Sequence, residues 1–125
     1  YSHRKWNKEI IVPVTTLDKL INEFGVPYYC KIDVEGYEFE VIKTLQDPII
    51  LISLEYSADM LDIVEDCTKH LEKLGAYEYN LRIGLATKLN SKKWLKKEDL
   101  LNTVRHSKTF VSGDIFAKLI AKKRV

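Results

Sequence analysis

Glycine is scarce in this sequence: five residues, at positions 25, 36, 75, 84 and 113. So scattered, they form neither G-x-G-x-x-G nor G-x-x-x-x-G-K-[ST], which excludes the usual backbone cradles for a phosphate or a nucleoside. Cysteine is scarcer, with only Cys30 and Cys67. Both fall in apolar patterns and no Cys/His spacing resembles a zinc site. They are expected to be two reduced, buried thiols of a cytoplasmic protein. Long apolar runs are absent as well. The longest, at 49–54, is interrupted by Ser53 and is far too short to cross a bilayer, and the first residues carry no signal-peptide pattern. Charge of one sign is not in excess: 20 Lys plus Arg stand against 18 Asp plus Glu, a net +2, which by itself gives no argument for a nucleic-acid partner. The expectation is a cytoplasmic protein with no membrane and no nucleic acid among its partners.

What is present is one domain's worth of chain, 125 residues with 46% hydrophobic and 30% charged positions, long enough to bury a core without staples. The first residue is Tyr1 and the one methionine is Met60, so residues 1–125 are expected to be a single-domain fragment of something longer. Ile10, Ile11, Val12, Pro13 and Val14 predict a short strand, with Pro13 pointing to a sheet edge or a strand end. A capping box over 15–18 opens a helix whose Leu17, Leu20, Ile21 and Phe24 share one face. Gly25 in the left-handed C-terminal position and Pro27 end it. A second strand runs through 26–32 into Asp33, and a helix over 37–45 follows Gly36. The nearly continuous apolar run at 49–54 predicts a parallel strand covered on both faces, ending on Glu55. The strongest helical pattern lies at 59–74, with Met60, Ile63, Val64, Cys67, Leu71 and Leu74 on one stripe and Gly75 as its cap. Alternation at 76–83 predicts a strand. A return strand is expected at 85–89, a loop and short helix at 91–104, a polar mobile stretch at 105–113 and a last strand at 114–119. The order implies an α/β fold with right-handed crossovers between parallel strands. Its last two strands form an antiparallel pair at the C-terminal edge.

The chemistry concentrates in Lys31, Ile32, Asp33, Val34, Glu35, Gly36, Tyr37 and Glu38, a strand end, a tight turn and a helix start. Ligands of open α/β sheets sit beyond the carboxyl ends of the strands, which is where Asp33, Glu35 and Glu55 fall. Asp33 and Glu35 suit a general base, a metal ligand or a substrate anchor. Their bland alternatives are a helix-start charge for Glu35 and a cap, or a pairing with Lys31, for Asp33. Lys31 in a core strand needs a partner, and Glu55 is either that partner or a substrate-facing acid. Among the histidines, His70 is expected to be solvated and His106 to contact substrate from a mobile loop. Lys88, Lys92, Lys93, Lys96 and Lys97, with only Trp94 among them, read as a solvated face. A hold on an acidic substrate is the alternative.

These residues resemble the FkbM family of S-adenosylmethionine-dependent methyltransferases. The likeness is carried by Val12, Pro13, Val14, Thr15, Thr16, Leu17 and Asp18. It continues through the acidic stretch from Lys31 to Glu38, then Val41 and Ile42, then Ile52, Ser53, Leu54 and Glu55. Residues 94–101 and 113–117 are similar to the family's end. The resemblance implies a three-layer Rossmann-like class I methyltransferase sheet. It implies S-adenosylmethionine as cofactor and transfer of a methyl group to a hydroxyl of a sugar, natural product or other small molecule. Asp33 and Glu35 would be catalytic, and Glu55, Tyr37 and His106 would bind substrate. The glycine-containing motif that holds the cofactor is expected upstream of Tyr1, so the sheet would be incomplete on its N-terminal, cofactor-binding side and the fragment inactive alone. One rival expectation is a non-catalytic interaction module that pairs through an exposed edge strand, which also provides for a homodimer. Another is a different Rossmann-like enzyme whose acids bind a divalent metal, although no metal site is expected.

Overall fold

The computed structural model describes residues 5–107 and 112–123. Thr16, one residue into the expected capping box, opens the first helix, α1 (Leu17–Phe24), and its Oγ1 accepts the amide of Lys19 at 3.2 Å. Asp18 does not reach back to complete the box. It accepts the amide of Gln46 at 3.2 Å instead and ties α1 to a later loop. The Gly25 amide closes the helix on the Ile21 carbonyl at 2.7 Å with φ at +92°. That positive φ suits glycine, although its ψ of 168° lies outside the left-handed helical well. Of the apolar stripe, Ile21 is buried but Phe24 stays 76% exposed.

Strand β1 (Tyr29–Ile32) leads through the acidic turn to α2 (Glu38–Ile42), shorter than the helix expected over 37–45. Then come β2 (Leu51–Ser57), α3 (Leu61–Leu74), β3 (Gly75–Ile83), α4 (Lys97–His106) and β4 (Ser112–Lys122). The sheet order is β1-β2-β4-β3, with β1 parallel to β2 and β4 antiparallel to both its neighbours. Among the described residues the fold is α/β with a four-stranded mixed, open sheet. The expected antiparallel pair is present at the far edge of the sheet, opposite β1: β3 is the terminal strand and β4, the last in sequence, inserts between β2 and β3.

Pairing register and alternation place Ile32, Ile52, Leu54, Ile115, Ala117, Tyr79 and Leu81 on one face. All are buried in a single core with Ile21 of α1, Ile42 of α2, Val64, Cys67 and Leu71 of α3, and Leu100 and Val104 of α4. The described residues therefore form two layers. The opposite face carries Tyr29, Lys31, Ser53, Glu55, Arg82 and Asp114, and the third layer of the expected sandwich is not among the described residues. Tyr77 anchors the core edge by donating to the Ile49 carbonyl at 2.8 Å. His70, expected in solvent, is half-buried and its Nε2 donates to the Leu45 carbonyl at 2.9 Å, a carbonyl left over where α2 has ended. Cys30 and Cys67 carry free thiols, and burial pushes Cys67 up to about 12.

Two expected strands are absent. Residues 10–14 run without pairing, and Ile11 is fully exposed with Ile10, Val12 and Val14 also open to solvent. β-branched residues favour an extended chain, but a strand also needs a neighbour. β1, the terminal strand, has no partner on its outer edge among the described residues. Residues 85–89 do not return as a strand either. Gly84 (φ +54°) turns the chain, and the following loop covers the outer edge of β3. Leu95 exchanges backbone bonds of 2.7 and 2.8 Å with Tyr79, and the Asn90 amide donates to Leu81 at 2.7 Å. Asn80 pins this loop by bonding both the amide and carbonyl of Ser91. The basic run lies on it as a largely exposed face, with Lys97 paired to Glu72 at 3.4 Å and Trp94 under the Lys118 ammonium at 4.3 Å. Arg105 and His106 end α4, and the rest of the stretch expected to be mobile falls partly at 108–111, outside the described residues.

Gly75 caps α3, its amide donating to the Leu71 carbonyl, and is also the first residue of β3; its φ and ψ are both −178°, a conformation open to any residue. It is needed for space, because a Cβ there would lie 2.7 Å from the Ala121 carbonyl oxygen and 2.7 Å from Leu119 Cδ1. Gly75→Ala is therefore expected to destabilise the fold by about 1–3 kcal/mol, read as a lowered Tm in a thermal melt.

Candidate active site

The parallel register of β1 on β2 sets Ile32 opposite Leu54. One residue further on, Asp33 and Glu55 reach the same end of the sheet. Glu55 in turn lies opposite Asp114 of β4, and Asp114 opposite Arg82 of β3. These side chains share the uncovered face. Lys31, Asp33, Glu55, Arg82 and Asp114, with Gly84, Leu85, Ser112 and Gly113, line a cavity of about 200 Å³. Arg82 forks its Nε and guanidinium NH2 onto Asp114 Oδ2, so the one acid of the group that is buried is also the one that is paired.

The turn at 33–36 brings a fourth acid, Glu35, close to Asp33 and Glu55. Glu35 adopts φ +52° and Gly36 φ +100°. The left-handed conformation costs a non-glycine residue about 1–2 kcal/mol, so something must hold Glu35 there. The holder is Glu38, only 1% exposed, whose carboxylate accepts the Val34 amide at 3.2 Å and the Gly36 amide at 3.0 Å. With the turn so set, Asp33, Glu35 and Glu55 each place a carboxylate oxygen within 4.8 Å of the others. A divalent cation is one charge that such a set can hold. Two of the three are exposed, as solvated acids commonly are, and no ion is assigned to them.

A proton is another such charge. A hydrogen bond shared with Asp33, followed by partial burial and the negative charges of Asp33, Glu35 and Asp114, pushes Glu55 up to about 7. Glu55 thus changes charge near neutrality, where a general acid or base is most effective.

The Methyltransferase FkbM domain model matches residues 1–81. The chain belongs to this family. No curated protein and no solved structure matches it. The match takes in α1, β1, the acidic turn, α2, β2, α3 and most of β3. Asp33, Glu35, Tyr37, Glu38 and Glu55 lie inside it, whereas Arg82, His106, Asp114 and the resembling segments at 94–101 and 113–117 lie outside.

Of the FkbM residues singled out in the sequence, Asp33, Glu35 and Glu55 come together. Tyr37 precedes α2 with its side chain 68% exposed, and His106 is the exposed last residue of α4; neither lines the acidic cavity. Lys31 is exposed rather than buried, and no ion pair joins it to Glu55 among the described residues. It needs no partner because its face of the edge strand is uncovered. Three participants escaped the sequence reading. Glu38 follows Gly36 by two residues, yet nothing in its spacing distinguishes a buried carboxylate from a surface one. Arg82 and Asp114 occupy the polar positions of alternating strands, a signal that acquires meaning only once β3 and β4 are known to pair.

Because folding raises the proton affinity of Glu55 from its ordinary 4.5 to about 7, the stability linked to this proton is complete below about 4.5 and is lost as pH rises through 7. Glu55→Gln, which cannot ionise, is expected to leave Tm unchanged at pH 4.5. At pH 8 it should raise stability by on the order of 1 kcal/mol. Melts at the two pH values check this, and equal shifts at both would remove the shared proton.

Proposed function

We propose that residues 1–125 form the C-terminal portion of an S-adenosylmethionine-dependent O-methyltransferase domain, and that its acids work on the hydroxyl acceptor, a sugar or other small molecule. The observation that carries this reading is the meeting of Asp33, Glu35 and Glu55 at the carboxyl ends of two parallel strands, in a chain of the FkbM family. S-adenosylmethionine supplies the electrophilic methyl group. The cavity beside the acids, about 200 Å³ and lined mostly by charged groups, is smaller than the ~300–1,000 Å³ of small-molecule and cofactor sites. It offers no apolar slot for a purine, so the residues that line it are not assigned to hold the cofactor.

What these residues do is handle the acceptor. A hydroxyl must lose its proton as the new C–O bond forms, and a positioned carboxylate takes that proton. Asp33 serves as the base, with Glu35 next to it on the turn as the second catalytic acid. Glu55, sharing a hydrogen bond with Asp33, orients the hydroxyl and keeps the pair from holding two full charges. Tyr37 and His106 lie outside this cavity and take part only with an acceptor that extends beyond it. The rival reading, an interaction module, draws on the outer edge of β1, unpaired among the described residues, and on the exposed apolar residues at 10–14.

In the protein that carries this chain, calorimetric titration is expected to show binding of S-adenosylhomocysteine. Asp33→Asn is expected to lower kcat by about 10²-fold or more with that binding unchanged. Absence of binding, together with concentration-dependent dimerisation, would favour the interaction module. Unaltered turnover in a folded Asp33→Asn protein would take Asp33 out of the chemistry.

A further inference from the structure

Two consecutive residues with positive φ, Glu35 and Gly36, curl the backbone so that the amides of Val34 and Gly36 face one point. Such a concavity of N–H groups is an anion site. Here the anion is internal: the Glu38 carboxylate. Val34 donates to Oε1 at 3.2 Å, and Gly36 donates to Oε2 at 3.0 Å and to Oε1 at 3.4 Å. A buried carboxylate has to be matched by hydrogen bonds, and as the first residue of α2 Glu38 also stands where the helix dipole favours negative charge. This is the role that Glu35 would otherwise play. With Glu38 taking it, Glu35 is left exposed and directed to the other acids.

We propose that Glu38 is a positioning residue for the acidic site: by occupying the turn it sets where the Asp33 and Glu35 carboxylates stand relative to Glu55. Asp33 immediately precedes Val34, and Glu35 lies between the two amides that Glu38 binds, so both acids take their direction from the backbone that this carboxylate holds. Glu38 does not touch the cavity and is not catalytic. The inference rests on the proposed acceptor chemistry only for what the acids do there; the placement itself can be measured without acceptor or cofactor.

The readout is the protonation of Glu55, followed by carboxyl ¹³C NMR. The groups facing Glu55 are Asp33, Glu35, Asp114, Lys31 and Arg82. The charges that raise Glu55 are those of Asp33, Glu35 and Asp114. A change seen on replacing Glu38 therefore travels through the turn. In the wild type the Glu55 midpoint is expected at about 7. In Glu38→Gln it is expected to fall by at least one unit, a tenfold loss of proton affinity, while the β2 and β4 amide signals keep their positions. Should Glu38→Gln not fold, Gly36→Ala strains the same turn with Glu38 in place. Its φ is +100° and an added Cβ meets nothing within 4 Å, and it is expected to shift the Glu55 midpoint in the same direction. A midpoint unchanged in a folded variant, with the Gly36 amide newly open to hydrogen exchange, would show that Glu38 only stabilises the turn and would overturn the proposal. A wild-type midpoint at the ordinary glutamate value would overturn it as well. A shifted midpoint in a protein that transfers no methyl group would keep the positioning role and reject the reaction.

Discussion

The parallel pairing of β1 with β2 is the contact on which the rest of the site depends. Residues 33 and 55 are 22 positions apart, and the Asp33 and Glu55 carboxyl groups become neighbours only because Ile32 lies opposite Leu54. A one-residue slip would send Glu55 into the apolar core and Leu54 into the acidic cavity, since side chains alternate between faces. The register is held by burial. Ile32, Ile52 and Leu54 are each almost fully enclosed, and burying one such side chain is worth about 1.5–3 kcal/mol. The polar face thus inherits its geometry from the apolar one.

That division of the sheet into an enclosed face and an open one also accounts for the electrostatics. Lys31 stays in solvent, Arg82 neutralises the buried Asp114, and the three acids at the end of β1 and β2 are left to settle their mutual repulsion by sharing a proton. Asp114 is the acid for which an unpaired charge would be most costly, because it is the most buried of the group and the attraction to Arg82 is screened least there. The outer edges of the sheet are treated unequally. β3 is sealed by the loop that Asn80 pins, whereas β1 has no partner on its outer edge among the described residues. An unsealed edge of this kind is a natural place for further strand pairing.

Much of this was legible in the residues themselves where the signal is local. The apolar stripe of α3, the alternation of β3 and the continuous apolar run of β2 each specify an element with little help from the rest of the chain. The acidic turn was legible too, as was its place at a strand end. What local pattern could not convey was whether a promising segment has something to pair with. Residues 10–14 have strand composition and no partner. Residues 85–89 have the same apolar periodicity as a return strand, but Gly84 and the bonds to Asn80, Tyr79 and Leu81 draw the chain along the outside of β3 instead. Gly75 reads as a helix cap in sequence and is one, but only the packing of β3 on β4 shows that it is also a point of close backbone approach. His70, placed in solvent by its position on the helix, finds a carbonyl freed by the early end of α2.

The sequence by itself determined the α/β class, the acidic turn after β1 and the likeness to the FkbM family, because each rests on the order of residues along a short stretch. Only the tertiary structure decided which acids meet, that β4 runs between β2 and β3, and that Glu38 rather than Glu35 fills the turn. The reason is physical. Proton sharing among carboxylates acts over a few ångströms and the burial of a charge is set by what packs over it, and neither distance nor burial is written in the spacing of residues along the chain.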